Sequence, residues 1–280
     1  MKVFKIEKDH ENNTALYFLG IKHTVRKPFL EYLEVHLCDH CNLNCKGCDH
    51  FCPIAPEKFT DIDGYVKDLK MLSSKINIGK IRLMGGEPLL HKDVNRFIYE
   101  TRKFFFNSDL RIVTNGILLP AMKSDFWQCC RECKVTIDMS KYPLVGDKFS
   151  QYLDIIDGNG VNIGNIHVAN KMMQVLNPNG TSDKEKTYLS CNSRFCANLK
   201  DHKLYTCSFC FVGYYNEYFN KKILEPSGID FYKKKGKEII KFLRKPIESC
   251  RYCSFSSPLI PWEQSTKQEK DWIAIQKNRI

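Results

Sequence analysis

Leu33-Glu34-Val35-His36-Leu37 runs directly into Cys38-Asp39-His40-Cys41-Asn42-Leu43-Asn44-Cys45-Lys46-Gly47-Cys48, an apolar strand that empties into a cysteine loop. Cys41, Cys45 and Cys48 stand in C-x3-C-x2-C spacing, close enough for three thiols to turn toward one point. Three readings compete on ligand chemistry. A zinc site could pair Cys38-x2-Cys41 with Cys45-x2-Cys48, although only three residues separate the pairs. A ferredoxin run could use Cys45-x2-Cys48-x3-Cys52-Pro53, but the gap from Cys41 to Cys45 is one residue too long. In the third reading each thiolate takes a different iron of one [4Fe–4S] cube, and the fourth iron is left for a small molecule.

Around this loop lies a chain of 280 residues with 43 Lys and Arg, 32 Asp and Glu, and 14 Cys. Hydrophobic residues at 43% supply a full core, which excludes a disordered tail or a disulfide-dependent miniature. The net charge is +11, yet the longest basic block is only Lys233-Lys234-Lys235. That pattern reads as a diffuse basic surface, and no nucleic-acid partner is expected. The N-terminus alternates charged and apolar residues and has no signal-peptide core. No apolar run approaches the roughly 18 residues of a membrane span. A cytoplasmic location without membrane contact is expected. Disulfides are disfavoured there, so the cysteines point to metal or cluster ligation.

Strands and helices alternate downstream. Strands are expected at Leu33–Leu37, Ile81–Met84, Leu110–Val113, Lys134–Asp138, Val161–Ile163 and Ile166–Val168. Helices are expected over Asp61–Ser74, Val94–Phe106, Leu118–Cys133 and Gly146–Ile156. Repeated βα units imply a parallel sheet with helices outside and ligands at the carboxyl ends of the strands. The cysteine loop, Gly85-Gly86-Glu87 and Thr114-Asn115-Gly116 all follow strands and should converge there. Asn177 to Ser182, rich in turn residues, marks a boundary. The expected domains are an N-terminal β extension (1–30), an α/β unit (31–176) and a smaller C-terminal unit (177–280).

Met84-Gly85-Gly86-Glu87-Pro88-Leu89 selects among the three readings. Together with the cysteine loop it resembles the radical S-adenosylmethionine (SAM) superfamily, which carries a GGEP motif after its second strand. The resemblance covers roughly Leu33 to Val168 and implies an α/β fold, a partial (β/α)6 barrel. It implies that Cys41, Cys45 and Cys48 hold a site-differentiated [4Fe–4S] cluster and that Gly85, Gly86 and Glu87 hold the amino end of SAM. Thr114, Asn115 and Ser140 stand where similar proteins reach the cofactor. One departure is Gly47, where the family usually has an aromatic beside the adenine; Phe51 is a candidate substitute. The implied chemistry is one-electron cleavage of SAM and hydrogen abstraction by a 5′-deoxyadenosyl radical, with a flavodoxin or ferredoxin-like electron donor.

Cys191-x10-His202-x4-Cys207, followed by Cys250-x2-Cys253, resembles part of a SPASM or twitch domain, with His202 in place of a glycine. The resemblance implies an auxiliary [4Fe–4S] cluster on Cys191, Cys207, Cys250 and Cys253, with Cys196 in reserve, in a small α+β twitch domain. The alternative is structural zinc. Leu199 to Cys207 reads as a β-hairpin with a polar turn. Cys129, Cys130 and Cys133 read as small buried hydrophobes. One auxiliary cluster resembles the layout of radical SAM dehydrogenases that act on aminocyclitols. A small polar substrate is therefore expected, a sugar, sugar nucleotide or cyclitol, undergoing dehydrogenation or epimerisation. Lys141, Arg194 and Tyr205 are candidate catalytic groups, with Tyr142 and His167 also polar and nearby in sequence. The alternatives are a ribosomal-peptide maturase and a non-enzymatic Fe–S or zinc protein that binds nucleic acid.

Overall fold

Leu33, Val35 and Leu37 point to one side of the strand Phe29–Cys38, Glu34, His36 and Cys38 to the other, and all six are buried. A strand covered on both faces lies inside a sheet. A computed structural model describes residues 4–8, 14–18 and 21–275. Strands β1 (Phe4–Lys8), β2 (Thr14–Phe18) and β3 (Ile21–Val25) form an antiparallel meander. Strands β4 (Phe29–Cys38), β5 (Asn77–Gly85), β6 (Asp109–Thr114), β7 (Thr136–Lys141) and β8 (Asn162–Val168) are successive parallel neighbours. The crossovers carry α1 (Ile62–Lys75), α2 (Val94–Phe104), α3 (Ser124–Glu132) and α4 (Lys148–Gly158). In α1 the Asp61 carboxylate accepts from the Gly64 amide at 2.7 Å, and Tyr65, Leu69 and Leu72 bury the inner face. Cys129, Cys130 and Cys133 lie in this core.

Two boundaries differ from the expected ones. Residues 118–133 do not form one helix: Pro120 confines Leu119–Ala121 to a 3-10 turn, Met122 and Lys123 are extended, and α3 starts at Ser124. The two strands expected at Val161–Ile163 and Ile166–Val168 are one strand with an irregularity. Ile163 pairs with Ile137, but Ile166 pairs with Met139, so β8 carries an extra residue at 164–165. Asp138 fills the indentation, where its Oδ1 accepts from the Asn165 amide at 2.8 Å; a Cβ on Gly164 would lie 2.3 Å from that oxygen.

The C-terminal third comprises β9 (Lys171–Met173), α5 (Lys184–Ser190), β10 (Ala197–Lys200), β11 (Lys203–Tyr205), α6 (Val212–Phe219), α7 (Gly236–Leu243) and β12 (Leu259–Pro261). The β10–β11 hairpin turns at Asp201 and His202, both left-handed at φ 46° and 60°. That is the two-residue turn geometry that suits a twisted hairpin, and it explains why a glycine would serve at position 202. β10 then pairs in parallel with β4, so the seven-stranded sheet runs β11-β10-β4-β5-β6-β7-β8 and stays open. Its sixth parallel strand therefore enters beside β4 from beyond the boundary loop. Asn198, with no exposure, seals the junction by donating from Nδ2 to Glu34 Oε2 at 3.0 Å. A second core of Phe51, Leu176, Phe209, Phe211, Tyr215 and Trp272 joins the cysteine loop to the C-terminal third. Among the described residues no helix is long and apolar enough to cross a membrane.

Candidate active site

The loop after β4 is held open by backbone geometry at its two ends. Gly85, at φ 150°, and Gly86 close β5 directly against it: a Cβ on Gly85 would lie 2.3 Å from the Cys38 carbonyl oxygen, and one on Gly86 would lie 1.9 Å from that of His40. Only a residue without a side chain permits that approach. At the other end Gly47, at φ 75°, packs on the Met173 carbonyl and the Gln174 side chain. This explains the absence of an aromatic at position 47.

Glu87, 1% exposed, ties three strand ends together. Its carboxylate accepts from Thr114 Oγ1 at 2.7 Å and from the amides of Asn115 at 2.9 Å and Leu89 at 3.1 Å. Burial raises its carboxyl to about 7, against the lowering effect of those donors. Asn115 Nδ2 reaches back to Asn42 Oδ1 at 2.7 Å and toward Cys41 Sγ at 3.8 Å. Cys38 is not part of the thiol triad; its Sγ donates to the Glu87 carbonyl at 2.9 Å.

Cys41, Cys45 and Cys48 line one cavity at the carboxyl ends of the strands, together with Gly85, Gly86, Glu87, Thr114, Asn115 and Ser140. Tyr142 and His167 line it as well. Phe51 does not: its ring is buried in the second core, 6.1 Å from that of Trp272, so Tyr142 is the aromatic that faces this cavity. Burial pushes the Cys45 thiol up to about 12, whereas a hydrogen bond from Cys52 and the His50 imidazole bring Cys48 down to about 5. A soft, positively charged metal centre would discharge such crowded thiols, and three sulfurs with no fourth thiol in the motif suit one cubic cluster.

A second cavity is lined by Cys191, Cys207, Cys250 and Cys253. Burial pushes Cys207 up to about 12, and the nearby Cys191 and Cys250 thiols reinforce the shift. Four thiols lining one cavity give the donor set of a fully ligated cluster, and equally that of zinc. Cys196 does not line this cavity. Arg194 does, but its guanidinium donates to the Leu189 and Cys191 carbonyls and lies over the Phe195 ring, clipping the end of α5.

Lys141 and Tyr205 line neither cavity. Strand alternation in β7 turns Ser140 inward and sends Lys141 out, with its ammonium 5.2 Å from the Phe149 ring centre on α4. Tyr205 ends β11 against the second core, with its ring beside Gly228. The residue that sequence reasoning missed is Asp49, which lines both cavities. Its carboxylate accepts from Ser208 Oγ at 3.0 Å and lies 3.2 Å from His50 Nδ1. The available signal was its position between Cys48 and Cys52.

No family model matches the chain. The chain is 31% identical over 143 residues to a GTP 3′,8-cyclase from Clostridium acetobutylicum, a match covering 46% of this chain and 42% of the relative. It is 37% identical over 95 residues to one from Clostridium botulinum, covering 33% and 30%. The chain thus spans less than half the length of these curated relatives. Among solved structures, BtrN in complex with AdoMet and 2-DOIA superposes with a TM-score of 0.55 at 18% identity, over 82% of this chain and 95% of that one.

Proposed function

We propose that the chain is a radical S-adenosylmethionine enzyme, a reading supported by its partial likeness to GTP 3′,8-cyclases, and that it oxidises a carbinol of a small, unphosphorylated polar substrate such as a sugar or cyclitol. In this reading Cys41, Cys45 and Cys48 hold the site-differentiated cluster, and Cys191, Cys207, Cys250 and Cys253 hold an auxiliary [4Fe–4S] cluster in a twitch-like unit. Gly85, Gly86, Glu87, Thr114, Asn115 and Ser140 frame the SAM site. When bound, these groups supply a 5′-deoxyadenosyl radical that removes a substrate hydrogen atom and an acceptor for the second electron. A flavodoxin or ferredoxin-like protein would deliver the first electron.

The observation that carries the reading is that the two thiol-lined cavities share Asp49. A substrate between them meets an anion fixed by Ser208 from the C-terminal third and by the His50 imidazole from the cysteine loop. That arrangement suits a hydroxyl or an amine. The protein's own contribution is to hold the three strand ends rigid through Glu87 and to keep water from the cavity.

Charge separates this reading from a nucleotide substrate. The titratable groups that line the SAM-side cavity, besides its thiols and the Tyr142 phenol, are Asp49, Glu87, His50 and His167. Triphosphates and sugar nucleotides call for free Lys or Arg, and the one such residue lining the second cavity, Arg194, is engaged by the Leu189 and Cys191 carbonyls. The sequence likeness to GTP 3′,8-cyclases spans under half of either chain and supports the shared cofactor chemistry.

Anaerobic turnover with a panel of aminocyclitols, free sugars, sugar nucleotides and GTP tests the proposal. We expect 5′-deoxyadenosine to form in equal amount with a ketone from an unphosphorylated member. Turnover of GTP or a sugar nucleotide in its place would overturn the substrate assignment.

A further inference from the structure

The segment from Leu259 to Trp272 lies far along the chain from the cysteine loop, yet it is laced to it residue by residue. β12 pairs antiparallel with β9, and the Trp262 amide donates to the Asn170 carbonyl at 2.9 Å. Beyond that anchor the Lys46 amide donates to the Glu263 carbonyl at 3.0 Å, and the Ser265 amide to that of Asn44 at 2.7 Å. Asn44 Nδ2 donates to the Ser265 carbonyl at 2.7 Å, and the Lys46 ammonium pairs with Glu263 at 2.7 Å. The Trp272 indole donates to the Cys48 carbonyl at 3.0 Å. The Asp271 carboxylate, 1% exposed, holds the strap's own turn by accepting from Ser265 Oγ and the Thr266 amide.

One contact of the strap reaches a sulfur. The Trp262 indole Nε1–H donates to Cys45 Sγ at 3.2 Å. Cys45 is buried, and Trp262 lies 6.2 Å, ring to ring, from Tyr142, which lines the same cavity. A hydrogen bond to a ligating sulfur withdraws electron density from it and favours the reduced cluster, and a strap that excludes water acts on the same potential.

We propose that the 259–272 strap sets the reduction potential of the cluster on Cys41, Cys45 and Cys48, with the Trp262 N–H as the tuning donor. Trp262 is a positioning residue: it acts through the Cys45 sulfur. The inference rests on the cluster assignment above. Removing the donor raises the electron density on sulfur and makes reduction harder, so Trp262→Phe moves the midpoint potential in the negative direction. Trp272→Phe, in the same strap, removes a donor to a carbonyl rather than to a sulfur and should leave the potential near that of the wild type.

The test is potentiometric titration, followed by electron paramagnetic resonance, of the reconstituted wild type, Trp262→Phe and Trp272→Phe. We expect Trp262→Phe to disfavour reduction about tenfold, or about 59 mV for one electron. An unchanged potential in Trp262→Phe, or an equal shift in Trp272→Phe, overturns the tuning role. A parallel measurement needs no variant to fold: with isotopically labelled tryptophan in the wild type and no SAM present, the reduced cluster should couple to an indole nitrogen. Absence of that coupling also overturns the inference. Failure to bind any iron sinks the cluster assignment itself, whereas a normal cluster at an unmoved potential sinks the strap alone.

Discussion

At Gly86 the backbone after β5 passes directly against the backbone of the cysteine loop at His40, leaving no room for a side chain. A methyl group at residue 86 would lie 1.9 Å from the His40 carbonyl oxygen, 2.2 Å from its carbon and 2.8 Å from the Cys41 nitrogen. None of these is the end of a flexible side chain, so the cysteine loop itself must move. Gly86→Ala is expected to cost about 3 kcal/mol in urea unfolding and to lower iron uptake on reconstitution. Wild-type stability with full iron content would show that the loop tolerates displacement. That the glycines and the three thiols meet at one cavity was legible in the sequence, because each group is a short local motif after a strand. The positions of Lys141, Tyr205 and Asp49 were not. Lys141 faces away through the alternation of one strand, and Asp49 matters only because a distant segment, at Cys207 and Ser208, arrives beside it.

At the scale of elements, β4 illustrates how a strand acquires its chemistry from its neighbours. The docking of β10 beside β4 and the packing of Phe211 over its inner face bury His36 to 3% exposure. Among the described residues neither imidazole nitrogen of His36 has a hydrogen-bond partner. Burial lowers its pKa from 6.5 to about 4. Asp39, 3.8 Å away, opposes that shift, while His50 and Lys200 add to it. The unfolded chain therefore takes up the proton first. Stability from this residue is complete above pH 6.5 and is lost as pH falls toward 4, by about 2 kcal/mol between pH 7 and pH 5. His36→Met should flatten the acid side of the stability profile in urea titrations by that amount; an unchanged profile would contradict it. Alternating βα units and the 199–207 hairpin could be read from periodicity and turn residues. The pairing of β10 with β4 could not, because parallel pairing over such a separation leaves no local trace. The break expected in the middle of β8 was a real signal, a bulge at Gly164 and Asn165, read as two strands.

Across the whole molecule, the C-terminal third is bound to the α/β unit at several places besides the 259–272 strap. β10 extends its sheet, the second core closes on the cysteine loop, and the Lys75 ammonium at the end of α1 donates to the carbonyls of Phe231, Tyr232 and Lys234. With these attachments the two thiol-lined cavities lie side by side, with Asp49 on the wall of both. Under the proposed function each cavity holds a cube of its own. Iron and sulfide content, measured with electron paramagnetic resonance after anaerobic reconstitution of the wild type and of Cys250→Ala/Cys253→Ala, tests it most directly. About eight irons per chain are expected in the wild type and about four in the variant, whose remaining signal still shifts on adding SAM. Zinc in the second cavity, or a variant that keeps all its iron, would contradict this expectation.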